Sequence, residues 1–314
     1  MTADPPLRPE PADEGLHEPG PEALWNESWY CDAVSEDGTL GLYARIGRLP
    51  NQEQAVYGAA ICRVGEPPIL LVRDGLPLPA AEPDGQTVHA EGLEASQRVL
   101  DPLVRYAVTV AGTGEAHADP AAPLRGESGS PVAIALDLTW ETDGIPYQWR
   151  RSTRYEIPCT VQGTVTIDGV QQAFRGHGQR DHSWGARDWW SVDWMWSALR
   201  LDDGTRIHAV AIPQMPGYGV GYLQRGGELR DVEQASIDTS VRADGLIASC
   251  RVELGPDPLT IDIAPQAFGA VRLQAPDGRL SLFPRALCRV TTGDGRSGSG
   301  WVEWNRVQPA AASV

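Results

Sequence analysis

No stretch of this 314-residue sequence approaches the roughly 18 apolar residues that a transmembrane helix needs, so membrane insertion is not expected. Positive charge is scarce. There are 26 Lys and Arg against 42 Asp and Glu, a net charge of −16. A surface this acidic repels phosphate backbones and anionic lipid, which sets nucleic acid aside as the main partner. Cysteine is sparse and scattered. Cys31, Cys62, Cys159, Cys250 and Cys288 are odd in number and form no C-x-x-C pair, which argues against a disulfide framework and a zinc knuckle. Each reads as a small buried apolar residue. There is no G-x-G-x-x-G, no Walker loop and no β-α-β alternation, which sets nucleotide-binding α/β folds aside. The first twenty residues have neither a basic n-region nor an apolar h-region, so they are no signal peptide. Rich in Pro, Glu and Asp, they read as a disordered leader. The expectation is a soluble cytoplasmic protein, compatible with a homodimer.

What is present is turn chemistry. Gly (34) and Pro (26) are spread along the whole chain, and Asp-Gly pairs recur, for example at Asp37-Gly38, Asp143-Gly144, Asp203-Gly204 and Asp277-Gly278. Short alternating or β-branched runs lie between them, among them 40–46, 132–140, 159–167 and 207–212. Many short strands joined by tight turns mean an antiparallel sandwich or barrel. Only 90–103 reads as a helix, and Pro102 ends it. An internal echo suggests two similar halves. Asn26-Glu27-Ser28-Trp29 and Asp181-His182-Ser183-Trp184 each put two polar residues and Ser-Trp ahead of a hairpin. The Gly-, Pro- and Ala-rich stretch 112–131 then marks the boundary. This gives a leader at 1–20, a first β domain at 21–130 and a second at 131–308.

The most informative segment is Gly176-His177-Gly178-Gln179-Arg180-Asp181-His182-Ser183-Trp184-Gly185. Its glycines read it as a loop running into a Trp-rich strand. The chain has 11 Trp and only 3 Phe, and five of the Trp fall between Trp184 and Trp196. With 190–201 read as a strand, Trp190, Trp194 and Trp196 share one face. Such an indole wall suits a hydrophobic polycycle or polyene, and stabilises a passing carbocation by roughly 0.5–2 kcal/mol per ring. It equally suits an aromatic core layer between two barrels. Asp181 beside this surface loses solvation, which raises its pKa toward that of a general acid, and His182 then relays the proton or positions a water. Arg180 pulls the other way by charge pairing. Asp181 and His182 act together only if the backbone turns between them, because neighbours in an extended segment face opposite sides. The competing arrangement is an Arg180–Asp181 ion pair that pins the loop, with His182 bonded to a backbone carbonyl. His177, Asp181, His182 and His208 are conceivable metal ligands, but their spacing matches no zinc signature, and no metal or other cofactor is expected. Ser183 lacks the G-x-S-x-G context of a serine nucleophile. Asn26 and Glu27 offer a second carboxylate across a cavity, or a strand-end hydrogen bond.

The 176–185 segment, with Arg187-Asp188-Trp189-Trp190 after it, resembles the hydroxyneurosporene-synthase-like, carotenoid 1,2-hydratase-like proteins, also described as AttH-like. Asn26-Glu27-Ser28-Trp29-Tyr30, with Arg45-Ile46-Gly47 and Pro50-Asn51, is similar to the first part of that family. The resemblance spans residues 25–304. It implies an all-β fold of tandem lipocalin-like antiparallel barrels, and protonation or templating of an olefin in an apolar cavity without a cofactor. The expected activity is a hydratase or cyclase acting on a hydrophobic isoprenoid, polyene or polyketide. Asp181 and His182 are the catalytic candidates, and Trp184, Trp189, Trp190, Trp194, Trp196, Trp29, Asn26 and Glu27 the binding ones. The alternative is a lipid- or terpenoid-binding carrier without chemistry.

Overall fold

The computed structural model describes residues 6–256, 258–275 and 277–310. Among these residues there are 22 β-strands, three short 3-10 turns and no α-helix. No helix is long and apolar enough to cross a membrane. The strands form two large antiparallel sheets. The first holds every strand from Trp25–Ser35 to Val170–Ala186, and curls until Ile69–Pro77 pairs with Arg105–Ala116. The second is built from strands between Trp194–Leu201 and Ser297–Gln308. These are the tandem lipocalin-like barrels that the sequence led us to expect.

Alternation along each strand sorts the side chains into three cores. Trp29, Leu42, Ile46, Trp140 and Ile157 fill the first barrel. Met195, Leu199, Ile263 and Val302 fill the second. Tyr30, Tyr43, Trp196, Phe283 and Trp301 point outward from their own barrels and form an apolar layer between the two. Part of the tryptophan excess is therefore the aromatic inter-barrel layer weighed from the sequence.

Several expectations need correction. The chain changes from the first sheet to the second between Ala186 and Trp194, not within 112–131. Arg105–Ala116 and Ser130–Thr142 are hairpin partners, paired as far as Ala116 with Ser130, so 112–131 connects two strands of one barrel. Gly, Pro and Ala mark a long turn there without distinguishing a hairpin loop from a linker. The 90–103 helix is instead the hairpin of Gly85–Ala90 and Leu93–Asp101, turning at Gly92 with φ +66°. Leu93, Ala95 and Gln97 are buried at every second position, so pairing with Arg105–Ala116 overrides helix propensity. The 176–185 segment is no loop but part of the 17-residue strand Val170–Ala186. Its glycines serve close approach: a Cβ on Gly178 would lie 1.9 Å from the Asp32 carbonyl oxygen of the neighbouring strand. The two polar-polar-Ser-Trp echoes do not open separate barrels. They lie antiparallel against each other in the first one, with Ser28 opposite Ser183 and Trp29 opposite His182.

Residues 1–5 of the expected leader lie outside the described residues, and residues 6–20 do not form a free tail. Leu7 bridges to Gln148, and Pro11–Glu14 form a 3-10 turn. This turn delivers Glu14, only 5% exposed, to Arg180 inside the first barrel, with N–O distances of 2.7 and 3.0 Å. Glu14 also accepts from the Tyr155 hydroxyl (2.9 Å) and the Leu103 amide (2.8 Å). Burial raises the Glu14 carboxyl, but the attraction and hydrogen bonds of Arg180 and these donors outweigh it and hold it below its ordinary value. Composition alone marks the segment as unable to bury apolar surface. Specific contacts anchor it instead, and the buried Glu14 carboxylate is central to them. Glu14→Ala leaves the Arg180 guanidinium buried without its carboxylate and should cost about 3–5 kcal/mol in urea unfolding. The Glu14→Leu, Arg180→Met pair should recover most of that loss.

Candidate active site

Residues that face each other in an antiparallel register lie on the same side of the sheet. One such row crosses four strands of the first barrel as Arg45, Tyr30, Asp181 and Glu156. The next reads Gly47, Ser28, Ser183 and Arg154. Both rows face outward, toward the second barrel. There Trp196 stands in register with Val210 on one side and Glu303 on the other, and Trp194 lies two residues before it. The connector adds Arg187, Asp188 and Trp189. Apart from Gly47 and Glu156, these groups line, together with Trp149 and Arg285, a cavity of about 240 Å³. Gly47 leaves room for the Arg45 head group, since a Cβ there would meet its Nη1 at 2.8 Å.

The charge centre of this cavity is Arg154. Its Nε donates to Glu156 at 2.6 Å and its Nη2 to Asp181 at 2.7 Å. The guanidinium lies over Trp149, 5.0 Å from the ring centre, and Trp196 Nε1 donates to Glu156 at 3.3 Å. Two buried carboxylates thus share one cation. Burial pushes the Asp181 pKa up to about 7; Arg154 and Arg187 oppose the rise, while Glu156 and Glu303 add to it. Burial raises Glu156 as well. Both carboxyls are thus raised although one guanidinium bonds each of them. Across the cavity, Glu303 is paired with Arg285 at 3.2 Å.

His182 faces the other way. Its row reads Ile46, Trp29, His182 and Tyr155, inside the first barrel. Nδ1 donates to the Asp13 carbonyl (2.8 Å), and Nε2 faces Glu27 Oε1 (2.9 Å). His17 Nδ1 reaches the same oxygen at 2.8 Å, and its ring stacks on Trp184 with centroids 3.6 Å apart. Burial raises the Glu27 carboxyl, but the bonds from His17 and His182 outweigh it and leave it below its ordinary value. His17, Glu27 and His182 are the group among the described residues whose ligand atoms converge, all within 4.8 Å. Two imidazoles and a carboxylate suit a divalent cation. Here their distances are those of hydrogen bonds made to one another. The set His177, Asp181, His182 and His208 is not assembled: His177 meets Ser299, and His208 bonds the Ser197 carbonyl on the second barrel.

Of the site residues expected from the sequence, Asp181, Trp189, Trp194 and Trp196 meet at the cavity. Asn26 and Trp190 line a neighbouring cavity of about 330 Å³. Trp29, Glu27, His182 and Trp184 belong to the first barrel's interior. Glu27 is therefore not the carboxylate across from Asp181; Glu303 is. The competing Arg180–Asp181 ion pair is not formed either, because Arg180 points into the first barrel toward Glu14. Arg154, Glu156, Glu303, Arg45 and Arg187 went unread. Their signal was charge at alternate positions of otherwise apolar strands, as in Arg154-Tyr155-Glu156-Ile157 and Trp301-Val302-Glu303-Trp304.

A family model described as a domain of unknown function, DUF7064, matches residues 10–308. No curated protein matches the chain. Among solved structures it is similar to an AttH candidate from Nitrosomonas europaea, with a TM-score of 0.66, 16% identity and coverage of 97% of this chain and 98% of that one. It is similar to CghA in a structure with Sch210972, with a TM-score of 0.61, 16% identity and coverage of 99% and 97%. It is also similar to kievitone hydratase from Nectria haematococca, with a TM-score of 0.57, 11% identity and coverage of 95% and 93%. At these identities the likeness is one of fold.

The Asp181 carboxyl, raised from 3.8 to about 7, binds its proton more tightly folded than unfolded. Its contribution to stability is thus full below about pH 4 and is lost as the pH rises through about 7. Urea unfolding at pH 5, 6.5 and 8 should show this decline in the wild type and a flatter profile in Asp181→Asn.

Proposed function

The chain belongs to the DUF7064 family, and we propose that it is a lyase or isomerase of the hydratase or cyclase type acting on a hydrophobic, unsaturated small molecule. The observation that carries this reading is a protonatable carboxyl, Asp181, buried in the wall of an indole-lined cavity between two barrels. The substrate is an isoprenoid, polyene or polyketide. Asp181 gives its proton to a double bond, and Arg154 holds the carboxylate left behind. Trp194 and Trp196 stabilise positive charge on the substrate through their ring faces, by about 0.5–2 kcal/mol per ring. Glu303, on the opposite wall, accepts a proton or orients water to complete hydration or elimination. A wall of this shape also templates cyclisation by restricting the conformers of a flexible chain. The shared fold with a hydratase supports this reading, as does a neighbour solved with a small molecule. His182 acts here as a positioning residue, bonded to Asp13 and Glu27 behind the strand that carries Asp181.

Native mass spectrometry of freshly purified protein should reveal a lipophilic ligand, which then serves as substrate or product in turnover assays. Asp181→Asn should retain ligand and lose about 10²–10⁴ in kcat. Wild-type kcat should fall above about pH 7, as Asp181 loses its proton. A protein that returns every bound ligand unchanged, with Asp181→Asn indistinguishable from wild type, is a carrier.

A further inference from the structure

Two cavities meet at one charged wall. The cavity of about 240 Å³ beside Asp181 and the neighbouring one of about 330 Å³ share Arg45, Arg187 and Trp189. The second has a mixed lining, with Leu24, Leu49, Val56 and Leu273 beside Arg48 and Asp74. Most cations around the first are matched. Arg154 holds Asp181 and Glu156, Arg285 holds Glu303, and Arg279 holds Asp188. Arg45 and Arg187 are different. Among the described residues neither forms an ion pair. Arg45 lies over the Trp189 ring, 4.5 Å from its centroid. Arg187 donates from Nη1 to Ser183 Oγ at 2.8 Å, while its Nη2 is buried without a partner.

Arg45 and Arg187 are both half-buried, and a guanidinium partly withdrawn from water without an ion-pair partner is costly; stacking on one indole returns only part of that cost. Burial and the neighbouring arginines push Arg45 down to about 10 and Arg187 down to about 9, a measure of how poorly this wall tolerates its own charge. Asp181, Glu156, Glu303 and Asp188 are held by other arginines, Asp74 on the second cavity pairs with neither Arg45 nor Arg187, and among the described residues nothing meets the buried Arg187 Nη2. A planar oxyanion matches the guanidinium fork, and a ligand carrying one satisfies the wall.

We propose that Arg45 and Arg187 form a binding site for an acidic head group, a carboxylate, so that the substrate is an amphiphilic organic acid rather than a neutral hydrocarbon. This rests on the reading of the cavity as a substrate site. The head group sits at the wall shared by the two cavities, and the unsaturated body lies along Trp194 and Trp196 beside Asp181. The acid thus fixes which double bond meets the proton donor.

The test compares trans-parinaric acid with its methyl ester, by fluorescence on the full chain at about pH 8. The wild type should bind the acid about tenfold more tightly than the ester, and added salt should narrow the gap. Arg45→Met and Arg187→Met should each weaken the acid toward the ester while leaving ester affinity within about twofold. A variant that also loses the ester has lost the cavity, and the wild-type ratio alone then decides. Equal wild-type binding of the two probes overturns the acidic head group and leaves the proposed function standing. So does an acid preference that survives in the double variant. Binding of neither probe overturns both readings together.

Discussion

Neighbouring side chains on an extended strand project to opposite faces, and the strand Val170–Ala186 makes this constraint decisive. Arg180 and His182 turn into the first barrel; Asp181 and Ser183 turn out toward the second. One strand therefore serves two charged environments separated by the thickness of a sheet. Inward, Arg180 and His182 anchor the N-terminal segment through Glu14 and the Asp13 carbonyl. Outward, Asp181 is fixed by Arg154 from the adjacent strand in an aromatic cavity. A shift of register by one residue would exchange the two sets and leave both networks without partners.

The energetics of the two faces differ in kind. Inside the first barrel, the hydrogen bonds and charge attraction around Glu14 and Glu27 outweigh burial and favour their charged forms. That is a stabilising arrangement. Between the barrels, Asp181 and Glu156 are driven toward their neutral forms despite a guanidinium within hydrogen-bond reach of each. Desolvation outweighs attraction there, and the result is proton affinity near neutrality. The same physical terms, in different proportion, make one face a clasp and the other a reservoir of protons.

The all-β class was legible because turn signals and alternation are local. The Trp wall was legible in part: Trp194 and Trp196 share a face of the strand Trp194–Leu201, but Trp190, expected beside them, lies in the connector before that strand and lines the neighbouring cavity. The site's partners were not. Arg154 and Glu156 meet Asp181 through the register of two strands, and Glu303 arrives from the far end of the chain. No local pattern states that pairing. The N-terminal segment misled for a related reason: a few contacts with distant residues hold it, chief among them the ion pair of Glu14 with a residue 166 positions away, and composition averages such contacts out. The Ser-Trp echo was a true signal of proximity misread as repetition. Ser28 and Ser183 are alike because they face each other, their hydroxyls 3.1 Å apart.

Among the described residues, one covalent crossing joins the sheets, between Ala186 and Trp194, and it contributes Arg187, Asp188, Trp189 and Trp190 to the cavities on either side. The proposed site is therefore built at a joint, with walls drawn from both sheets. The buried layer of Tyr43, Phe283 and Trp301 holds those walls face to face. The span from Asp181 to Glu303 is thus set by packing that touches neither carboxyl.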